Sequence, residues 1–369
     1  MRPTRAEISL PILKNNFNNI KKKVGQDVKI MGIVKANAYG HGLVEISRAL
    51  VHYGIDYLGV GFLEEGLTLR KNGISAPILV LGGVLGDQIQ HFLANNLEIT
   101  VSSIELARRI DKEVQDHFAK KAKVHLKIDT GMERIGVHSN NAPNFIEEIL
   151  KLKHVEIVGI YSHLATADLK DKSFAHLQLE RFNQVLDYTQ KIGIDIPLKH
   201  IANSSAVLDL QESYYNMVRP GILLYGLYPS EEVSKSVSVE PILSLKSKIV
   251  FIKTVEANTS ISYGRKYFTK NKTRIATIPV GYGDGYSRML TNKTDVIING
   301  KRFPVVGAIC MDQIMVDIGE ENVHVGDDVT LIGKDGNEFI DVWELANKIG
   351  TNAYEILCNL NTRVPRIYN

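Results

Sequence analysis

The feature of this sequence that most constrains its fold is the alternation of short apolar runs with amphipathic stretches between residues 28 and 225. The runs seldom alternate with polar residues, which is typical of parallel strands covered on both faces. About eight such units over roughly 200 residues predict a (β/α)8 TIM barrel. A doubly wound sheet is the alternative, but no G-x-G-x-x-G follows the first run to favour it. The runs cover residues 28–34, 57–60, 77–81, 98–101, 124–128, 156–161, 198–202 and 217–223.

Beyond a polar connector at residues 231–240, the sequence predicts a mostly antiparallel β domain, in which Asn299-Gly300 and Asp335-Gly336 are hairpin turn signals. Two helices, 342–349 and 353–360, close the chain. We therefore expect a barrel domain over residues 1–233 and a β domain over residues 234–369. The predicted strands of the β domain are 244–255, 274–280, 295–298, 303–306, 314–318 and 329–332.

Composition excludes several classes of protein. The formal net charge is +3 and the basic runs are brief, so no nucleic-acid footprint is expected. The two cysteines lie far apart and predict neither a disulfide scaffold nor a metal site, which fits a reducing compartment. No apolar leader and no run of about 18 apolar residues occurs. We expect a soluble cytoplasmic protein without a bound metal or a membrane partner.

Residues able to act in catalysis or to bind a ligand follow several of the apolar runs. Barrel enzymes place catalytic residues at the carboxyl ends of strands and often bind phosphate after strands 7 and 8. Taken singly, each residue could be structural, as a core histidine, a helix cap or a surface arginine. Together, a lysine amine, a phosphate cradle and converging arginines suggest pyridoxal 5'-phosphate (PLP) held as a Schiff base. These residues are Lys35, Arg134, His163, Asn203, Ser204, Arg219 and Gly221.

Over essentially its whole length, the sequence resembles the alanine racemase family of barrel-type (fold type III) PLP-dependent enzymes. The motif VKANAYGHG at residues 34–42 is highly specific for that family, and the other motifs follow in the family's order. They are KIDTGMER at 127–134, HIANS at 200–204, RPGI at 219–222, SYGR at 262–265, GYGDGYSR at 281–288 and CMDQ at 310–313.

The resemblance implies racemisation of alanine by two bases, with Lys35 and Tyr263 on opposite faces of the bound substrate and D-alanine supplied for peptidoglycan. It implies a homodimer with shared active sites, in which the β domain contributes Tyr263 and Met311 to the partner. Arg219 would face the pyridine nitrogen, and Arg134 the ring hydroxyl and the substrate carboxylate. The other implied cofactor-binding residues are Tyr39, His163, Asn203, Ser204, Gly221, Ile222 and Tyr354, and the supporting residues are Lys127, carbamylated in some relatives, His200 and Asp312.

Two features depart from or complicate the family pattern. Ala308 stands where many relatives carry an arginine at the entry corridor, which leaves substrate selectivity open. The glycine-rich residues 281–285 resemble a phosphate loop but precede no obvious helix, so we expect tight turns there. A serine or broad-specificity racemase is the main alternative function. A decarboxylase is disfavoured by Arg219, and a barrel-only PLP-homeostasis protein is disfavoured by the β domain.

Overall fold

The computed structural model describes residues 2–369, which divide into two compact units. The barrel unit comprises Leu13–Ala38 and Leu43–Glu240, and the β unit comprises residues 2–12, Tyr39–Gly42 and Pro241–Asn369. The expected domain boundary at residue 233 thus precedes the observed division at Pro241 by a short polar segment. Within residues 2–369, no helix is long and apolar enough to cross a membrane.

The barrel unit contains eight parallel strands, and each of the eight predicted runs overlaps one of them. Most strand residues are buried because helices cover the outer face and side chains fill the interior. The two ends of the ladder approach where the N–H of Arg219 donates to the carbonyl of Ala202 at 2.9 Å, so the barrel is nearly closed. The paired strands, in spatial order, are Met217–Val218, Lys29–Ile33, Tyr57–Val60, Ile78–Val80, Glu98–Val101, Ala122–Asp129, Val155–Tyr161 and Leu198–His200.

The helices between the strands bury one apolar stripe each. In Ile104–His117, the side chain of Ser103 caps the helix by accepting from the N–H of Leu106 at 3.2 Å. A short strand, Val137–His138, pairs with the end of the sixth ladder strand. The helices in this part of the chain are Leu10–Val24, Leu43–His52, Leu63–Lys71, Ile89–Ala94, Ile104–His117, Ala142–Leu150, Ser173–Lys191 and Ser204–Asp209.

The β unit is built from one large mixed sheet and two small antiparallel ones. In spatial order, the large sheet contains Lys301–Pro304, Asp295–Ile298, Asp328–Asp335, Leu243–Lys248, Arg5–Ile8 and Arg366–Tyr368, with Glu338–Ile340 paired to Asp328–Asp335. The small sheets contain Phe251–Val255, Thr273–Ile278 and Ile314–Gly319, and Ser260–Ile261 with Tyr267–Phe268. The helices are Val342–Ile349 and Ala353–Cys358.

Two expectations for this part of the chain require correction. Residues 244–255 form two strands, because the chain changes sheets at residues 249–250. The strand Arg5–Ile8 belongs to the large sheet and not to the barrel, and it pairs parallel with Arg366–Tyr368. Its alternating pattern buries Ala6 and Ile8 completely, which favours a strand with one covered face.

Candidate active site

The predicted Schiff-base lysine follows the barrel strand Lys29–Ile33 and begins an unusual turn. Residues 36–39 all have φ between 51° and 55°, although none of them is glycine. A left-handed conformation costs roughly 1–2 kcal/mol per non-glycine residue, so surrounding contacts must hold this turn. One such contact is made by Glu65, whose carboxylate accepts from the N–H groups of Ala36 at 2.6 Å and of Gly61 at 2.7 Å. Lys35 therefore leaves a braced and strained backbone, as functional residues often do.

Arg219 is a buried cation of the barrel unit and is only 4% exposed. It donates to Nδ1 of His200 at 2.8 Å, to the carbonyl of Ser162 at 2.7 Å and to Nδ1 of His163 at 3.3 Å. Burial lowers the pKa of Arg219 to about 10, so the guanidinium stays charged at neutral pH. Among residues 2–369, no carboxylate lies within ion-pair distance of it.

Both histidines beside Arg219 are neutral. Burial, and then the charge of Arg219, holds the pKa of His163 and of His200 well below the ordinary range. The ring of Tyr161 stacks on His200 with a centroid separation of 4.8 Å and an interplanar angle of 4°. The structure therefore presents a guanidinium oriented by neutral acceptors and able to donate to a further acceptor.

Lys127 is almost fully buried at the end of the sixth ladder strand, where Nζ donates to the carbonyl of Ile128 at 2.8 Å. Burial lowers the pKa of Lys127 to about 7, a shift that Asp129 opposes and that Arg219 and Arg134 reinforce. A substantial fraction of this amine is therefore uncharged at neutral pH.

The loop that carries Arg134 is organised by Asp129. Its carboxylate accepts from the N–H groups of Gly131 at 2.8 Å and Met132 at 3.0 Å, and from that of Arg134 at 3.3 Å. Burial opposes ionisation, but these backbone donors hold the pKa of Asp129 below its usual value. The Arg134 side chain remains exposed at this loop.

The predicted phosphate cradle joins the loops after the last two barrel strands. Asn203 caps the helix Ser204–Asp209, and its side chain accepts from the N–H of Ala206 at 3.0 Å. The Oγ of Ser204 accepts from the N–H groups of Gly221 at 2.9 Å and Leu223 at 3.4 Å. Because Oγ is the acceptor in both contacts, the hydroxyl proton of Ser204 is available to an anion. Ile222, the remaining residue predicted here, is 1% exposed.

In the β unit, Tyr263 is held in a tight turn with its side chain 72% exposed. Ser262, Gly264 and Arg265 around it have φ of 65°, 71° and 49°. The Ser262 hydroxyl donates to the carbonyl of Ala308 at 2.6 Å, which anchors the turn. The structure thus holds the Tyr263 backbone rigidly while leaving the phenol projecting outward.

Met311 is also exposed, and the glycine-rich loop holds its backbone. The N–H of Gly283 donates to the Met311 carbonyl at 2.9 Å, and a Cβ at Gly281 would lie 2.4 Å from that oxygen. Every N–H from residue 281 to residue 286 donates to a protein acceptor, so none is available for phosphate. The expected tight turns are present. Asp312 pairs with Arg363 at 2.5 Å.

Tyr39 and Tyr354, both expected to bind the cofactor, are neighbours in the β unit. Their ring centroids lie 5.8 Å apart at an angle of 52°. The backbone after Tyr39 is held by Arg366, which donates to the carbonyl of Gly40 at 2.9 Å. A Cβ at Gly40 would lie 2.1 Å from the carbonyl of Leu357, so only glycine fits there.

The barrel residues fit the group that the family implies. An ionised phosphate needs hydrogen-bond donors, and a buried hydroxyl with an available proton is present at Ser204. A pyridine nitrogen needs a donor if it is to stay unprotonated, and Arg219 can only donate. The chemistry of these donors therefore fits PLP. Among residues 2–369, no group of three or more His, Cys, Asp or Glu side chains could hold a metal ion.

Comparison with known proteins gives matches over the whole chain. The family models for the alanine racemase N-terminal and C-terminal domains match residues 8–229 and 242–368. A curated alanine racemase 2 of Caldanaerobacter subterraneus is 47% identical over 100% of this chain and 95% of its own length. The solved alanine racemase of Clostridium difficile 630 has a TM-score of 0.95 at 43% identity, covering 100% of this chain and 96% of that one. A histidine racemase of Leuconostoc mesenteroides has a TM-score of 0.92 at 28% identity, covering 100% of this chain and 98% of that one.

A nearly closed parallel barrel followed by a mainly antiparallel β unit is the architecture of a two-domain, barrel-type isomerase. The full-length matches narrow that class to one family. This chain belongs to the alanine racemase family, as the sequence motifs predicted.

Sequence reasoning missed several residues that support the site. Glu65 braces the turn after Lys35, and Tyr161 stacks on His200. His125 and Glu98 extend the hydrogen bonds of His200 into the barrel core. Glu98 and His125 each lie within a predicted strand, and only the inward direction of their side chains distinguishes them from ordinary strand residues.

Proposed function

We propose that this enzyme interconverts L-alanine and D-alanine with PLP as its cofactor, using Lys35 and Tyr263 as two bases on opposite faces of the substrate. The observation that carries the proposal is the burial of Arg219 among uncharged acceptors. An enzyme that needs a strong electron sink benefits from a carboxylate at the pyridine nitrogen, whereas an arginine leaves that nitrogen unprotonated. A weak sink would suit a racemase, because short-lived negative charge at the substrate Cα limits side reactions.

Each residue of the site has a role in this proposal. When bound, PLP supplies conjugation that stabilises negative charge at the substrate Cα. Lys35 would hold the cofactor covalently, and its amine would move a proton at Cα on one face. Tyr263 moves a proton on the other face. Arg134 and the Met311 backbone orient the substrate carboxylate.

The remaining residues hold the cofactor or other residues in place. His163 flanks the cofactor ring. His200 positions Arg219, and Asp312 positions the loop of Met311. The phosphate ligands in this proposal are Tyr39, Ser204, Gly221, Ile222 and Tyr354. Asn203 is a further cofactor-binding residue, and it caps the helix that begins at Ser204.

The same proposal includes a homodimer. Tyr263 projects outward on a rigid turn, and Met311 is also exposed. Such side chains are suited to completing a site on a second copy of the chain. In the cell, we propose that the dimer works in the cytoplasm and supplies D-alanine for peptidoglycan.

The direct test incubates the purified holoenzyme with L-alanine or L-serine and follows the D-isomer. Lys35→Ala should abolish racemisation and remove the visible absorbance of covalently held PLP. D-serine formed faster than D-alanine would instead favour the broad-specificity or serine racemase, an alternative that the open corridor position at Ala308 motivates. A PLP-loaded protein that forms no D-alanine would contradict the proposal.

Isotope exchange tests the two bases separately. In D2O, Tyr263→Ala should lose racemisation by about 10²–10⁴-fold, the usual contribution of a positioned base. It should still exchange the α-proton of one alanine enantiomer, because Lys35 serves that face. Tyr188→Ala, which removes a partly exposed tyrosine from the helix Ser173–Lys191, is the matched control. Loss of exchange for both enantiomers in Tyr263→Ala would contradict a two-base mechanism.

A further inference from the structure

The buried charge of Arg219 raises the question of what compensates it. Transferring an ionised group into a protein interior is costly unless hydrogen bonds and an opposite charge accompany it. Its direct partners are neutral imidazoles and carbonyls. A carboxylate is nevertheless connected to it through two histidines. We call the series Glu98, His125, His200 and Arg219 the buried relay.

The contacts of the buried relay are short and continuous. The Oε2 of Glu98 lies 2.8 Å from Nε2 of His125, and Nδ1 of His125 lies 2.9 Å from Nε2 of His200. Nδ1 of His200 lies 2.8 Å from Nη1 of Arg219. All four residues are at least nine-tenths buried. Glu98 begins its barrel strand and Arg219 follows one, so the relay runs from the amino ends of the strands to their carboxyl ends.

The chemistry of the donors gives the relay a single direction. A guanidinium can only donate, so Nδ1 of His200 must accept and Nε2 of His200 must carry the proton. That proton is donated to Nδ1 of His125, which leaves the His125 proton on Nε2. Nε2 of His125 therefore donates to Glu98, which accepts as a carboxylate. Each histidine is restricted to one neutral tautomer.

Packing holds the relay in this arrangement. A Cβ at Gly159 would lie 2.2 Å from Nδ1 of His125, so a glycine at this position makes room for the imidazole. Tyr161 stacks on His200 and shares a hydrogen bond of 2.8 Å with the hydroxyl of Thr100. The relay therefore occupies space that neighbouring strands reserve for it.

Other ionisable groups face the two ends. Tyr57 donates a hydrogen bond to Glu98, and burial followed by the charge of Glu98 raises the pKa of Tyr57, so it keeps its proton. Asp56 adds to that shift. Arg70 acts on Glu98 electrostatically, while its guanidinium donates to backbone carbonyls. At the other end, Lys127, Arg134 and His163 face Arg219.

We infer that Glu98 is a positioning residue: its carboxylate, acting through His125 and His200, directs the lone pair of His200 Nδ1 at Arg219. It thereby holds the guanidinium charged and aligned for the acceptor at the active site. The catalytic consequence rests on the proposed function, whereas the tautomers of the two histidines do not.

The first test measures the tautomers in the holoenzyme by long-range ¹H–¹⁵N spectra of labelled histidine at about pH 7. The expected result is that His125 and His200 are both neutral with the proton on Nε2. The variants His125→Gln and His200→Gln identify which signals belong to which histidine. A proton on Nδ1 of either residue, or a doubly protonated ring, would overturn the inference. This measurement stands whether or not the protein racemises alanine.

The second test uses Glu98→Gln, which keeps the shape but removes the charge and adds a donor. An amide that donates to His125 reverses the relay and brings an N–H of His200 against Arg219, so a second set of imidazole signals should appear. We expect kcat to fall on the order of tenfold, as for other carboxylates that orient a histidine, with a smaller change in KM. Glu156→Gln, which changes an exposed glutamate two strands away in the barrel ladder, should change neither. Imidazole signals and a kcat equal to those of wild type in Glu98→Gln would contradict the role of Glu98 as a positioning residue. If that variant does not fold, the histidine tautomers measured in the wild-type enzyme still test the inference.

Discussion

The Oγ of Ser204 accepts a hydrogen bond from the N–H of Gly221 at 2.9 Å, so one buried hydroxyl joins the loops after the last two barrel strands. The two residues are 17 positions apart in the sequence and follow the strands at the two ends of the ladder, which approach each other at the nearly closed seam. Because the oxygen serves as an acceptor for the backbone, its proton remains for a ligand. The contact therefore orders the cradle and orients a donor at the same time.

Replacing Ser204 by alanine should weaken PLP retention. A hydrogen bond to a charged group contributes about 1.5–3 kcal/mol, so the dissociation constant should rise roughly ten- to hundredfold. Dialysis of the variant followed by titration with PLP measures the change. Ser213→Ala is the matched control, because Ser213 is equally buried and its hydroxyl donates to the carbonyl of Leu210. Equal affinities in the two variants would remove Ser204 from the cradle.

The pKa of Lys127, about 7 in the folded protein, makes stability depend on pH. Between that value and the ordinary pKa near 10.5, the unfolded chain binds more protons, so the free energy of unfolding rises with pH. Urea unfolding in CO2-free buffer should show that wild type gains a few kcal/mol relative to Lys127→Met between about pH 7 and pH 10. Lys123→Met, at an exposed position of the same strand, should keep the wild-type slope. If the free energy of unfolding of Lys127→Met rose with pH as steeply as that of wild type, a lowered pKa of Lys127 would be excluded.

The same uncharged amine is suited to reaction with CO2. Its nitrogen would bond to the carbon of CO2, and the released proton would pass to solvent, leaving a carbamate beside the charges of Arg219 and Arg134. In ¹³CO2-saturated buffer, a carbamate ¹³C signal should appear in wild type and in Lys123→Ala and be absent in Lys127→Ala. A signal that survives in Lys127→Ala would assign the modification to another amine.

The barrel was predictable from the sequence because parallel strands buried on both faces leave unbroken apolar runs. The run 57–60, for example, is the strand Tyr57–Val60 residue for residue. Arg5–Ile8 was missed because four alternating residues are a weak signal, and its partners lie more than 230 residues away. The left-handed turn after Lys35 was also unpredictable, since Ala36 and Ala38 have no intrinsic preference for positive φ.

The candidate site was predictable only where a residue ends a strand or belongs to a motif. His200 lies in a motif, but its partner His125 lies 75 residues earlier, inside a strand that reads as ordinary core. Glu98 is a charged residue at the first position of an apolar run. From the sequence alone, such a residue is expected at a strand end that faces solvent. Only the direction of its side chain reveals that it is 6% exposed.

Arg219→Glu tests the role of the guanidinium at the pyridine nitrogen. A carboxylate there would allow that nitrogen to hold a proton and strengthen the electron sink, so more turnovers should end in transamination. Pyruvate formed per D-alanine formed measures this partition. Arg219→Lys keeps a cation and should show a smaller rise, although it loses the planar fork that reaches His200, His163 and Ser162. An unchanged pyruvate fraction in Arg219→Glu would show that residue 219 does not control the sink.

The proposed sharing of active sites can be tested by complementation. Lys35→Ala and Tyr263→Ala homodimers should each be inactive. If every site combines Lys35 of one chain with Tyr263 of the partner subunit, a mixed dimer contains one intact and one doubly defective site. Random exchange of equal amounts makes about half of the dimers mixed, so activity should recover to about a quarter of wild type. If both residues instead served the same chain, each mixed dimer would hold two single-defect sites, and mixing would restore no activity.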